Sequence, residues 1–250
     1  MKLSTYVVKL GLATALILSS TFAFAAEKVL IVVTSHSKMG NTAEKTGYWL
    51  GEVTHPYKEL LDAGFEVQIA SIQGGEAPVD ARSLAEPDAV NQWFMADKNH
   101  SVKLKQTRKL SNEKAADYKA VLFAGGHGTM WDFPQDQHLQ QFAADLYQQN
   151  GIVAAVCHGP AALINIKLAD GSYLIAGKKV TGFSNSEEQQ VKLSEVMPYS
   201  LEDQLKLRGA SYSAAASWQS KVVVDQRLIT GQNPQSAADV GKALVKLLQQ

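Results

Sequence analysis

Residues 152–160 read IVAAVCHGP, and this stretch decides the fold. The five apolar residues 152–156 are typical of a strand buried inside a parallel sheet. Cys157 follows them at once, and the small residues from Gly159 onward predict a helix over 159–166. A buried strand, a sharp turn between small residues and a helix form the pattern of a nucleophile elbow. We therefore predict that Cys157 is a nucleophile.

Cys157 is the only cysteine among the 250 residues, which leaves two interpretations of it open. A lone cysteine can be an inert part of a hydrophobic core. On an elbow, by contrast, the sulfur lies above a helix N-terminus, whose dipole and free N–H groups stabilise a thiolate. The flanking strand, His158 and Gly159 favour the second interpretation. We expect a protein built around a reactive thiol.

The remainder of the chain alternates between strand and helix patterns. Further strands are predicted at 28–34, 65–71, 119–124, 179–183, 222–224 and 227–230. Helices are predicted at 47–63, where Pro56 should kink or interrupt the helix, and at 136–149, 187–193, 201–208 and 235–248. This alternation predicts an α/β doubly wound parallel sheet in a three-layer sandwich, as one domain over 26–250. Residues 77–117 lack a clear pattern and are expected to form a small excursion over the site.

A glycine-rich loop follows the strand predicted at 119–124. It reads Gly125-Gly126-His127-Gly128, and in a parallel sheet it lies at the same edge as Cys157. Glycines let backbone N–H groups approach a substrate oxygen. The N–H groups of Gly125 and Gly126, together with that of His158, therefore predict an oxyanion hole. A plain glycine turn is the alternative.

The N-terminus carries a targeting pattern. Lys2 and Lys9 precede an apolar run over 12–24, and Ala23-Phe24-Ala25 has the small residues of a signal-peptidase site. We predict a signal peptide over 1–25 and a periplasmic or secreted protein without membrane attachment after cleavage. An uncleaved anchor is the alternative. Because 24 basic residues balance 24 acidic ones, no overall charge attracts nucleic acid.

Five separated motifs carry a resemblance to a known family. They are GGHGTMWD at 125–132, AVCHGPA at 155–161, TGF at 181–183, LITGQNP at 228–234 and EVTHPY at 52–57. In their order along the chain they resemble the DJ-1/PfpI (ThiJ) superfamily of type 1 glutamine amidotransferase-like domains. The similarity is greatest to its branch of chaperones and glutathione-independent glyoxalase III enzymes. It extends from Lys28 to the C-terminus.

The resemblance implies a flavodoxin-like fold, a homodimer and a set of catalytic residues. Cys157 corresponds to the nucleophile and His158 to its neighbouring base. Glu188 corresponds to the acid that orients the histidine, with the adjacent Glu187 as the alternative. Glu52 corresponds to an acid that contacts the sulfur, where an apolar setting would keep the carboxyl protonated.

The implied activity is that of an enzyme for small reactive aldehydes, which converts methylglyoxal to lactate without glutathione or another cofactor. One alternative is a holding chaperone that binds unfolded proteins through an exposed apolar patch, for which Trp93, Phe94 and Met95 are candidates. Further alternatives are an oxidation-sensing stress protein and a protein deglycase or weak peptidase that uses the same cysteine.

The positions of the histidines exclude one activity of the superfamily. Its glutamine amidotransferases pair their cysteine with a histidine far downstream. The six histidines are His36, His55, His100, His127, His138 and His158, so none follows the elbow. His55 and His127 could converge near the strand ends, but no H-x-x-x-H or C-x-x-C spacing is present, and we predict no metal.

Overall fold

The computed structural model describes residue 1, residues 26–85 and residues 87–250. Its strands are β1 Lys28–Val33, β2 Glu66–Ser71, β3 Arg108–Lys109, β4 Ala120–Phe123, β5 Ile152–Val156, β6 Lys179–Val180, β7 Ser211–Tyr212, β8 Val222–Asp225 and β9 Leu228–Gly231. Its helices are α1 Leu50–Asp62, α2 Ala89–Ala96, α3 Lys98–Lys105, α4 Thr129–Asp132, α5 Gln137–Gln148, α6 Asn185–Gln190, α7 Leu201–Leu207 and α8 Ala237–Leu248. The predicted signal peptide lies outside the described residues, apart from Met1.

Seven strands form the central sheet in the order β3-β2-β1-β4-β5-β9-β8. All neighbours are parallel except β8 and β9, which form an antiparallel hairpin. The chain moves one way across the sheet from β1 to β2 and the other way from β4 to β5. Because such crossovers are right-handed, α1 and α5 cover opposite faces of the sheet. The predicted doubly wound, flavodoxin-like α/β fold is confirmed.

The core strands form where the apolar runs predicted them. Every residue of β4 and β5 is buried, as is β1 after Lys28, because helices cover both faces. Helix α5 starts at the N-cap Asp136, whose side chain accepts a hydrogen bond from the Leu139 N–H at 2.7 Å. Helix α8 packs against α1 and completes one outer layer. No helix in the described part of the chain is long and apolar enough to cross a membrane.

Three local predictions are wrong. The helix expected at 159–166 is a 3₁₀ turn over Gly159–Leu163, because packing on all sides, rather than an amphipathic stripe, sets its conformation. The strand expected at 179–183 ends at Val180 and belongs to a separate two-stranded sheet. Pro56 does not interrupt α1, which continues to Asp62 and ends before Gly64.

The excursion over 77–117 mostly extends the sheet and covers α1. Helix α2 packs on α1, α3 packs on β2, and β3 adds an edge strand beside β2. Phe94 lies in the core, so the prediction of an exposed apolar patch at 93–95 is wrong for this residue. Met95 is 46% exposed, and Trp93 is partly buried. The segment around Asp80, which continues into the 3₁₀ turn Ala81–Leu84, reaches the glycine loop through Arg82.

Candidate active site

Cys157 occupies the strained turn that the sequence predicts. Its φ of 60° lies in the left-handed region, which non-glycine residues rarely adopt. Its N–H donates to the Gly231 carbonyl at 3.0 Å, and its carbonyl accepts from the Phe183 N–H at 2.8 Å. A Cβ at Gly159 would lie 2.1 Å from the Phe123 carbonyl oxygen, so only glycine fits after the elbow. These contacts hold the strained residue at the end of β5.

His158 and Glu188 form a hydrogen-bonded pair beside the sulfur. Nδ1 of His158 lies 3.4 Å from Cys157 Sγ, and Nε2 lies 2.7 Å from Glu188 Oε2. Since an ionised carboxylate only accepts hydrogen bonds, Nε2 carries the proton in the neutral ring and Nδ1 can accept the thiol proton. The structure thus aligns thiol, imidazole and carboxylate in the geometry of a nucleophile, a base and an orienting group.

Glu187, the alternative orienting acid, has a different role. It forms a capping box with Ser184 at the start of α6. Its Oε1 accepts from the Trp218 N–H at 3.0 Å and from the Asn233 side chain at 2.8 Å. Of the two candidate acids, Glu187 and Glu188, only Glu188 is hydrogen-bonded to His158.

Glu52 reaches the sulfur from the first turn of α1. The helix begins against the glycine loop, where the Trp49 N–H donates to the Gly125 carbonyl at 3.0 Å. Glu52 is fully buried next to the Cys157 thiol; its Oε2 accepts the Gly125 N–H at 2.8 Å, and its Oε1 has no hydrogen-bond partner among the described residues. Burial raises the pKa of Glu52 to about 8, against the opposing effects of the neighbouring Cys157 thiol and the Gly125 N–H. The helix N-terminus favours a carboxylate by only about 0.3–1 kcal/mol, so Glu52 is protonated at neutral pH.

The sequence led us to expect a thiolate at Cys157, and the structure favours the thiol. Burial, followed by the nearby Glu52 carboxyl, raises the pKa of the Cys157 thiol well above its ordinary value. The backbone N–H of His158 opposes this rise but does not reverse it. The 3₁₀ turn of five residues that replaces the predicted helix has little dipole to offer. Cys157 therefore rests as a thiol and needs a base when it reacts.

The predicted oxyanion hole is only partly present. The Gly125 N–H donates to Glu52, so its assignment as an oxyanion donor is wrong. A Cβ at Gly125 would lie 2.6 Å from Glu52 Oε2, which explains why a glycine stands there. The Gly126 N–H makes no hydrogen bond within the described residues. The glycine loop therefore serves first to receive Glu52.

The side chain of His127 lies within hydrogen-bond distance of Glu188 and Arg82 and does not form part of an oxyanion hole. Its Nε2 lies 3.0 Å from Glu188 Oε1, and its Nδ1 lies 3.0 Å from Arg82 Nη2. Arg82 in turn binds Asp80 through Nε at 2.9 Å and Nη2 at 2.5 Å. Although burial opposes ionisation, the charges and hydrogen bonds of the two histidines hold the pKa of Glu188 far below its usual range. Sequence reasoning missed Asp80 and Arg82, which carry no motif and lie in the irregular excursion.

Metal binding is the other chemistry that this cluster could support. Ligand atoms of His127, His158 and Glu188 lie within 4.8 Å of one another. An arginine can only donate, however, so Nδ1 of His127 must accept from Arg82 and Nε2 must carry the proton. The atom that would face a metal is thus a hydrogen-bond donor to Glu188. These side chains are arranged for the observed hydrogen bonds rather than for binding a cation. That the protein binds no metal remains a prediction.

A doubly wound sheet with a cysteine on a strained turn at one strand end, beside a histidine and a glutamate, defines a class of α/β proteins with a potential nucleophile. The chain belongs to the DJ-1/PfpI family, whose family model matches residues 42–247. This assignment agrees with the resemblance carried by the five sequence motifs.

Several relatives match nearly the whole chain. The glutathione-independent glyoxalase HSP31 of Saccharomyces cerevisiae is 35% identical over 225 residues, 85% of this chain and 94% of the relative. The crystal structure of glyoxalase III from Candida albicans superposes with a TM-score of 0.82 at 31% identity, covering 88% of this chain and 96% of that one. The Rapid Encystment Protein 24 kDa of Francisella tularensis reaches a TM-score of 0.87 at 49% identity, covering 89% and 99%.

Proposed function

We propose that this protein is a glutathione-independent glyoxalase that converts methylglyoxal to lactate with Cys157 as its nucleophile. The observation that carries the proposal is the position of one thiol between two proton carriers. Nδ1 of His158 lies 3.4 Å from the sulfur, and the protonated Glu52 carboxyl lies next to it in the first turn of α1. A reaction that moves a proton between adjacent carbons needs such groups beside the bound substrate.

The reaction proceeds through a covalent adduct on the sulfur. His158 Nδ1 takes the thiol proton while Sγ forms a bond to the aldehyde carbon, and the aldehyde oxygen is protonated to give a hemithioacetal. The aldehyde oxygen takes its proton from the His158 imidazolium, so the neutral ring can then remove the proton from that carbon while Glu52 protonates the ketone oxygen to give an enediol. His158 delivers its proton to the neighbouring carbon, and the hydroxyl on the first carbon returns a proton to the Glu52 carboxylate. The product is a thioester of lactate, which water hydrolyses to lactate and the free thiol. The enzyme's own sulfur replaces glutathione.

Burial of the site favours a small substrate. Cys157 is only 3% exposed and His158 is fully buried, so a peptide backbone has no direct access to the sulfur. A cleft of about 190 Å³ borders Glu188 and Phe183, whose ring packs on His158 at 4.3 Å between centroids. The Gly125 N–H is also engaged by Glu52, which weakens the case for a peptidase that depends on an oxyanion hole there.

The relatives support an enzyme of this type. Two proteins at 31–35% identity, with almost full coverage, are named glyoxalases, one of them glutathione-independent. The protein is not a glutamine amidotransferase, because no histidine follows His158 in the sequence. The buried Cys157–His158 pair takes the place of the downstream histidine triad.

Lactate formation tests the proposal directly. Purified protein is incubated with methylglyoxal, without glutathione and with a chelator, and lactate is measured with time. We expect turnover by the parent protein and none above background for Cys157→Ala. Glu195→Gln, on the exposed surface, is the matched control and should retain full activity. Equal rates for the parent and Cys157→Ala would exclude Cys157 as the nucleophile.

We also propose that the protein is exported to the periplasm or secreted, and that it forms a homodimer. The lysines, apolar run and Ala23-Phe24-Ala25 pattern support export. N-terminal sequencing of protein recovered from the periplasmic or extracellular fraction should begin at Ala26. Light scattering coupled to gel filtration should give twice the mass of the cleaved chain. An intact Met1 terminus in the cytoplasm, or a monomeric mass, would contradict the respective proposal.

A further inference from the structure

A second histidine lies on the far side of the Glu188 carboxylate. Glu188 Oε2 lies 2.7 Å from His158 Nε2, and Glu188 Oε1 lies 3.0 Å from His127 Nε2. The carboxylate therefore has both oxygens engaged by imidazoles and is only 12% exposed. The two rings pack on each other with centroids 4.0 Å apart. The bond to His127 therefore opposes movement of Glu188 away from His158.

Arg82 determines which nitrogen of His127 carries the proton. Arg82 Nη2 lies 3.0 Å from Nδ1 of His127, and a guanidinium has donors only. Nδ1 must therefore accept, which places the proton of the neutral ring on Nε2, facing Glu188. Burial, followed by the nearby His158, lowers the pKa of His127 to about 4, so the ring is neutral at working pH. Without Arg82, both tautomers of the neutral His127 ring become accessible. In the tautomer protonated on Nδ1, the bare Nε2 faces the Glu188 carboxylate, and neither atom can donate a hydrogen bond.

Arg82 is itself held in place by a buried partner. Asp80 accepts its Nε at 2.9 Å and its Nη2 at 2.5 Å, and the Asp80 side chain is only 1% exposed. Thr46 donates a further hydrogen bond to Asp80 at 2.9 Å. Arg82 lies in the 3₁₀ turn of the excursion, and His127 lies in the glycine loop. The excursion thereby fixes a hydrogen-bond direction inside the site without contacting the sulfur.

We propose that His127 and Arg82 are positioning residues for the cysteine site. Arg82 directs the His127 proton toward Glu188, the resulting N–H holds the carboxylate against His158, and Nδ1 of His158 stays aimed at the thiol. The role of the pair in turnover rests on the proposed glyoxalase function. The role of the pair in activating the thiol does not rest on that function, because the rate of alkylation by any small electrophile measures thiol activation.

Two substitutions at one position separate the two hydrogen bonds of His127. The amide nitrogen of His127→Gln reaches the place of Nε2 and can still donate to Glu188. The amide oxygen of His127→Asn reaches only the place of Nδ1, so it can accept from Arg82 and leaves Glu188 without its second donor. A purely structural role through the Arg82 contact predicts that His127→Asn is the milder change. The positioning role predicts the opposite order.

The readout is the rate at which iodoacetamide alkylates the protein as a function of pH. Only one cysteine is present, so the rate reports Cys157 alone. We expect His127→Asn to lower the rate at pH 7 by about tenfold or more, and His127→Gln by about threefold or less, as for loss and retention of a positioned base. Lactate formation should follow the same order through kcat, with KM little changed. Arg82→Met, which leaves the imidazole in place, should give an intermediate loss.

Other outcomes would overturn the proposal in distinct ways. Equal losses for His127→Gln and His127→Asn would show that the imidazole acts by packing alone. A normal alkylation profile in both His127→Asn and Arg82→Met would remove the pair from thiol activation. Melting temperatures of all variants identify any that fail to fold, and Arg82→Met then decides the question. Failure of the parent to form lactate would refute the proposed function and leave the alkylation test intact.

Discussion

Two adjacent glutamates show how much a single residue position determines. Glu187 and Glu188 follow the same motif, yet they face different parts of the molecule. Glu187 is fully buried in a set of hydrogen bonds to Ser184, Trp218 and Asn233. Glu188 lies between the two imidazoles, where it is an anion that orients a base. Both residues should therefore matter for stability, and only the second for catalysis.

Replacing each glutamate by its isosteric amide tests this division. Glu188→Gln places an amide nitrogen against an N–H donor and removes the charge that orients His158. We expect kcat to fall about 10²-fold or more, and the melting temperature to fall as well because a largely buried N–H loses its acceptor. Glu187→Gln leaves buried donors facing an amide nitrogen, and we expect a loss of about 1–3 kcal/mol in the free energy of unfolding with kcat preserved. Steady-state lactate assays and urea denaturation measure the two effects; a fall in kcat for Glu187→Gln as large as that for Glu188→Gln would refute the division.

At the scale of elements, the strands were predictable and their loops were not. The apolar runs of β1, β4 and β5 are unambiguous, because a strand buried on both faces has a distinctive composition. The contact between Glu52 and Gly125 joins residues 73 positions apart, and that between Arg82 and His127 joins residues 45 apart. No local pattern encodes such pairs. The family resemblance indicated Glu52, but it gave no sign that the Glu52 carboxyl would accept the Gly125 N–H, which was expected to serve as an oxyanion donor.

The glycine loop provides a stability prediction at this scale. Gly126 has a φ of 99°, and a Cβ there would lie 2.2 Å from the Gly47 carbonyl oxygen. Gly177 also has a positive φ, 73°, but nothing lies within 4 Å of its Cβ position. Gly177→Ala should cost about 1–2 kcal/mol for backbone conformation alone, whereas Gly126→Ala should cost about 1–3 kcal/mol more because the loop must move. Urea denaturation of both variants compares them, and equal costs would mean that the loop yields without strain.

At the scale of the whole molecule, the buried site makes stability depend on pH from both sides. The two histidines lower the folded-state pKa of Glu188 against the effect of burial, so the stability it contributes is present above its ordinary pKa and is lost as the pH falls. His127, with its pKa lowered to about 4, also destabilises the fold as the pH falls below its ordinary value. Glu52 acts in the opposite direction, because burial raises its pKa to about 8. The same network that prepares the thiol thus limits stability in acid and in alkali.

The alkaline limit can be isolated with Glu52→Gln. The raised pKa means that the folded state binds the Glu52 proton more tightly than the unfolded state, where the value is 4.5. Its contribution is therefore complete below pH 4.5 and is lost as the pH rises through about 8. The amide introduced by Glu52→Gln cannot ionise and can still accept the Gly125 N–H, so the variant should gain stability relative to the parent as the pH rises. The gain should reach at most about 4–5 kcal/mol near pH 9.

Melting temperatures of the parent, Glu52→Gln and the exposed control Glu195→Gln, measured from pH 4.5 to 9, give the difference directly. The contributions of Glu188 and His127 cancel in that difference, because all three proteins retain them. The Glu195→Gln curve should run parallel to that of the parent, and the Glu52→Gln curve should diverge upward between pH 5 and 8. A constant difference over this range would mean that Glu52 is ionised in the folded protein at neutral pH. In that case it could not donate a proton beside Cys157, and the proton transfers of the proposed reaction would fall to His158 alone.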